Sequence, residues 1–174
     1  MSIKDIITVP SEVLKKISEP IEKISINEKK LIKDLFETMY SFKGIGLAAV
    51  QIGILKRVIV VDVSSNKEKK NPISLINPVI TKLSTQTTVY EEGCLSIPDT
   101  FLEIERPKIC EVEYIDTFGK VKILRCDGLL STCIQHEINH LDGKLIIDHL
   151  SKLKRDLIVK KISKSKTKLD RVVV

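Results

Sequence analysis

Apolar residues recur at helical spacing in SINEKKLIKDLFETMYSFKG, where Leu31, Ile32, Leu35, Phe36 and Met39 share one face. Ser25 and Glu28 form a capping-box pattern ahead of that face and Gly44 follows it, so the segment predicts a helix. RVIVVDV, from Arg57 to Val63, is a short β-branched run and predicts a strand; ISLINPVITKL predicts another, interrupted at Pro78. KICEVEYIDTFGKVKILRC alternates Cys110, Val112 and Tyr114 with Glu111 and Glu113, and Asp116 to Gly119 turns the chain into a hairpin. NKEKKN, residues 66–71, predicts a polar loop. Two helical stretches close the chain, Gly128 to Leu141 and a basic one from about Leu150. The order predicts an α+β fold: antiparallel β-sheets packed around a central helix, with N-terminal helices and a C-terminal helix.

Composition narrows the class. At 174 residues, 43% hydrophobic and 30% charged, the chain reads as one globular domain over residues 1–174, neither disordered nor membrane-embedded. No apolar run approaches a membrane span. The N-terminal MSIKDIITVPSEV has no sustained apolar core, which predicts no signal peptide and hence a cytoplasmic protein. Cys94, Cys110, Cys126 and Cys133 show no CxxC spacing and read as thiols or a ligand. The net charge of +6 is concentrated at the C-terminal end, where Lys152 to Lys168 contains a single acid, Asp156. Such a run is either a solvated face or a contact for something anionic, such as ribosomal RNA or a membrane surface.

The central helix carries the chemistry. His136 and His140 stand four residues apart in QHEINH, with Glu137 beside the first. At about 100° per residue, His140, Leu129 and Cys133 fall within about 60° of His136, and Glu137 lies near 100°. Ser131, Gln135 and Asn139 take the opposite side. Two imidazoles and a carboxylate on an apolar stripe point to a metal ion. Imidazoles at i and i+4 grip it and leave room for water, and the carboxylate is free to move protons. A working site usually needs a third protein ligand. In an HExxHxxGxxH peptidase it would be a histidine at the place of Ile146, and no glutamate follows Glu137 to serve instead. Asp148 and His149 remain open. Cys133 lies about 10 Å along the helix from His140, too far for one ion to hold all three from a straight helix. Cys94, in EEGCLSIP, is a candidate on a short rigid loop set by Gly93 and Pro98; the alternative is a buried cysteine in a strand.

GIGLAAVQIG (Gly44 to Gly53), EEGCLS (Glu91 to Ser96) and QHEINHLDG (Gln135 to Gly143) resemble, in order and spacing, the three signature motifs of the peptide deformylase family. The likeness runs through nearly the whole chain. It implies an enzyme that removes the formyl group of N-formylmethionine from nascent polypeptides and releases formate. Cys94, His136 and His140 would be the metal ligands, and Glu137 the general base and acid. Gln51 and the backbone N–H of Leu95 would stabilise the oxyanion; for Gln51 a loop-bracing role is the plainer alternative. Ile45 and Gly46 would pair with the extended substrate, although the segment also reads as a helix-ending turn. Ile45, Leu129 and Cys133 would line the methionine pocket. The resemblance implies one divalent ion per chain, Fe(II) natively with zinc, nickel or cobalt able to substitute, a monomer, and docking of the basic C-terminal helix on the ribosome. Glu92 and Arg106 match a pair that braces the cysteine loop, expected here as a partly buried ion pair. Tyr90, Thr132 and Phe101 depart from the residues common in the family, the last replacing an arginine. Two other readings stand beside this one: a peptidase of HExxH type, and a noncatalytic module with a closed metal site and an RNA-binding tail.

Overall fold

The computed structural model describes residues 2–64 and 70–170, the side chains of 165–170 excepted. Most of the polar run at 66–71 lies outside the described residues. Ser25 caps α1 (Ile26–Ser41): its side chain accepts from the Asn27 N–H, and its own N–H donates to Glu28 Oε2 at 2.8 Å. β1 (Gly46–Ala48) leads through a 3-10 turn to β2 (Val58–Val61) and β3 (Ile73–Leu83). β4 (Thr87–Cys94) and β5 (Ile97–Pro107) follow, then β6 (Ile109–Ile115), β7 (Val121–Asp127), α2 (Gly128–Leu141) and α3 (Lys152–Asp170). β1, β2, β3, β6 and β7 form one antiparallel sheet in that order, and β4 pairs with β5 in a second.

The expected α+β class is what the chain adopts, with one α-helix and a 3-10 turn (Glu12–Lys15) ahead of the sheet. The run VIVV is continuous because β2 is buried on both faces. Val58 and Val60 pack with Leu35 and Met39 of α1, while Ile59 and Val61 pack with Ile134, Ile138 and Leu141 of α2. α2 therefore lies against one face of the large sheet and α1 against the other. α3 sets Ile162, backed by Ile158 and Val159, on a third cluster with Ile97 and Ile146, and leaves Leu153 and Leu157 exposed.

Two expectations need correction. Pro78 does not interrupt its strand: Asn77 takes a positive φ and the register with β6 shifts there, so β3 continues past the proline as a bulge. Cys94 does not sit on a free loop; it is the last residue of β4, before a two-residue turn into β5. The side of α2 opposite the histidines, polar in sequence, also packs inward. Ser131 and Gln135 are buried, and both donate to the Pro107 carbonyl, at 3.3 and 2.9 Å. Gly143 ends α2 with φ +70°, where a Cβ would strike the Lys15 backbone. The Ser18 N–H, donating to the Leu141 carbonyl at 2.8 Å, ties this helix end to the N-terminal segment.

Candidate metal centre

The β4–β5 turn and α2 bring three donors together. Cys94 Sγ lies 3.2 Å from His140 Nε2, which lies 3.2 Å from His136 Nε2, and all three atoms fall within 4.8 Å of one another. In a tetrahedral site built from one sulfur and two nitrogens, neighbouring donors stand roughly 3.3–3.6 Å apart. One ion can therefore be held by this set with little rearrangement. Among the described residues this is the one such group. Ile146 packs in the third apolar cluster. Asp148 is engaged elsewhere, accepting from the Leu145 N–H and from Arg155.

The surroundings push the two imidazoles apart in basicity. Burial alone would lower the His136 imidazole, but its hydrogen bonds to Cys94 and Glu92 override that and raise it to about 10. Burial, and then the neighbouring His136, hold His140 well below the usual imidazole range. Behind the three donors, Glu92 Oε2 accepts from His136 Nδ1 at 2.8 Å. Arg106 grips both oxygens of Glu92, through Nε and, at 3.0 Å, through Nη2, and donates from Nη1 to Asn139 Oδ1 at 2.8 Å. These bonds and the two charges outweigh burial and keep Glu92 below the usual carboxylate range. A ring anchored through Nδ1 keeps Nε2 aimed at the other two donors.

Glu137 lies in different surroundings. Burial pushes its carboxyl up to about 7, with His136 opposing the rise and Glu92 adding to it. Its Oε2 has no hydrogen-bond partner among the described residues. Gly46 lies against this carboxyl, and a Cβ there would run into Glu137 Oε1 and Cys133 Sγ. The Gln51 amide is oriented at both ends: Oε1 accepts from the Ala48 N–H at 2.9 Å, and Nε2 donates to Ser96 Oγ at 3.1 Å and lies 3.7 Å from Cys94 Sγ. A cavity of about 740 Å³ opens over these groups.

The chain is matched over residues 3–156 by the model of the polypeptide deformylase family. It is 53% identical to the peptide deformylase of Pelagibacter ubique over the full length of both proteins. The chain belongs to the peptide deformylase family. The fold agrees: the crystal structure of peptide deformylase from Ehrlichia chaffeensis superposes with a TM-score of 0.91 at 39% identity, covering 96% of this chain and 98% of that one. A class I type b peptide deformylase from Acinetobacter baumannii, crystallised with Met-Ala-Ser bound, superposes with a TM-score of 0.81 at 30% identity. That match covers 86% of this chain and 99% of the other. Deformylases are metallohydrolases, and the donor cluster suits one.

Within the deformylase fold, Ile45, Gly46, Gln51, Cys94, Leu95, Leu129, Cys133, His136 and Glu137 all border the cavity, while His140 stands behind it. Tyr90, Thr132 and Phe101 border it too. The Glu92–Arg106 pair is buried outright, not partly. Two supporting residues escaped the sequence reading. Ser96, fully buried, holds the Gln51 amide, and Asn139 ties Arg106 to the histidine helix. A signal existed for Ser96 in its place inside EEGCLS; nothing near Asn139 in the chain points to Arg106.

Proposed function

We propose that this protein removes the formyl group from N-formylmethionine at the start of nascent polypeptides, with Cys94, His136 and His140 holding one divalent ion. The observation that carries the reading is the convergence of one sulfur and two imidazole nitrogens at the base of a cavity that also holds the Glu137 carboxyl, whose Oε2 has no partner among the described residues. The native ion is Fe(II), with zinc, nickel or cobalt able to replace it; a mixed sulfur and nitrogen set accommodates each of these. When bound, the ion supplies Lewis acidity toward the formyl oxygen and acidifies a water.

The chain's own groups account for the rest. Glu137 takes a proton from the attacking water as the new O–C bond forms. It then returns the proton to the amine nitrogen as the C–N bond breaks, leaving formate and a free amino terminus. A carboxyl raised to about 7 is suited to both transfers near neutral pH. Gln51 Nε2 and the Leu95 N–H donate to the negative oxygen that develops; the anchoring of Gln51 at Ala48 and Ser96 supports the first role. The methionine side chain fits among Ile45, Leu129 and Cys133. The peptide backbone extends along Ile45 and Gly46, since β1 is an edge strand paired on one side with β2. The Met-Ala-Ser held by the Acinetobacter baumannii enzyme is what such a reaction would leave from formyl-Met-Ala-Ser.

In this reading the chain is one catalytic domain, cytoplasmic and monomeric, whose basic helix α3 meets the ribosome. No helix among the described residues is long and apolar enough to cross a membrane. The test is anaerobic formate release from formyl-Met-Ala-Ser, with metal analysis of the same sample. One formate per peptide and about one ion per chain are expected. A peptide cut at an internal bond, or no formate from metal-loaded protein, would overturn the reading.

A further inference from the structure

Beyond the methionine pocket, the cavity mouth carries exposed carbon that deformylation itself does not use. Phe101 is 65% exposed and Phe42 45%, yet both border the same cavity as Glu137 and Cys94. Phe101 faces Gly93 across the β4–β5 ladder, one residue before Cys94. A Cβ on Gly93 would lie only 2.8 Å from the ring, so the phenyl rests on bare backbone beside the donor cluster. The exposed charged groups bordering this mouth are Asp5, Glu91 and Asp99 against a single cation, Lys43.

We infer that Phe101 is a specificity-determining residue that takes an apolar side chain from one of the two residues following formylmethionine and disfavours a carboxylate there. The inference rests on the deformylase reading above. An extended peptide advances about 3.4 Å per residue, so a chain with its formyl group at the cluster brings its next side chains past the walls of this cavity. An apolar side chain covering the ring removes carbon from water on both partners. A carboxylate there loses water against the ring and meets a predominantly acidic rim.

The experiment measures kcat/KM for formate release from formyl-Met-X-Ser and formyl-Met-Ala-X, with X as Ala, Leu, Phe, Asp or Lys. The wild type, Phe101→Ala and Phe101→Arg are compared, each normalised to its own Ala peptide so that general losses cancel. In one of the two series the wild type should favour Phe and Leu over Asp by on the order of tenfold. Phe101→Ala should flatten that preference to within about threefold, and Phe101→Arg should raise the Asp peptide above the Phe peptide. A wild-type profile flat in both series, or one that Phe101→Ala leaves intact, would overturn the inference while formyl-Met-Ala-Ser is still turned over. Absence of formate from that control peptide would instead remove the deformylase reading, and this inference with it.

Discussion

Replacing Arg106 by methionine tests how the site is supported. Arg106 and Glu92 are both buried, and the guanidinium gives two bonds to the carboxylate and one to Asn139. Methionine keeps the stem but leaves the Glu92 charge with only the His136 ring as partner. Breaking a buried ion pair from one side costs about 3–5 kcal/mol, because the remaining charge has been taken out of water without compensation. At about 2–4 °C per kcal/mol for a chain of this size, the melting temperature should fall by on the order of 10 °C. Glu92 also orients His136 through Nδ1, so metal affinity should fall by about 10–100-fold. Urea titrations of metal-free protein measure the first effect free of binding linkage; competition with a chelator measures the second. Adding Glu92→Gln to Arg106→Met removes the stranded charge and should recover part of the lost stability. If Arg106→Met cost less than about 1 kcal/mol, or if the second substitution made matters worse, the buried-charge account of this network would be wrong.

Glu137→Gln should retain the ion by metal analysis, since Glu137 is outside the donor cluster. It should lose on the order of 10²–10⁴-fold in kcat for formate release; turnover at the wild-type rate would remove the proton-transfer role. Cys94→Ser should weaken metal binding and shift the preference among Fe(II), zinc and cobalt toward harder ions, measured by competitive loading. Glu28 is held down to about 2 by Lys56 and by Ser25 at the start of α1. A carboxyl lowered on folding stabilises the protein above its ordinary pKa of about 4.3 and loses that contribution as pH falls through the folded value. The wild type should therefore lose stability more steeply than Glu28→Gln between roughly pH 4.5 and 2, in paired denaturant titrations of metal-free protein. Parallel curves would show that the pair with Lys56 is not coupled to folding.

Much of the frame was legible because it obeys a two-class pattern. α2 spans Gly128–Leu141 as its apolar spacing predicts, α1 begins at its capping box, and the alternation in KICEVEYI matches β6 against β7. The β4–β5 hairpin was not legible. TTVYEEGC gives one side to solvent and the other to a polar site, so no apolar alternation marks it as a strand, and Phe101 on its partner points outward. Cys94 was one open candidate among the residues themselves, and the likeness to deformylases singled it out.

The polar side of α2 shows where periodicity stops short. Ser131, Gln135 and Asn139 are polar at regular intervals, and periodicity assigns such a stripe to water. Here the stripe packs against the β5–β6 corner, where Ser131 and Gln135 bond to Pro107 and Asn139 to Arg106. Buried polar groups are tolerable only with partners, and these partners lie 24 to 33 residues away in the chain. The pattern thus failed where a helix must be polar on two sides at once. One side presents imidazoles to the donor cluster; the other anchors the helix to the strands that deliver Cys94 and the Glu92–Arg106 brace. Positions at which local pattern and actual burial disagree mark the supporting structure of the catalytic apparatus, as expected where function overrides local preference.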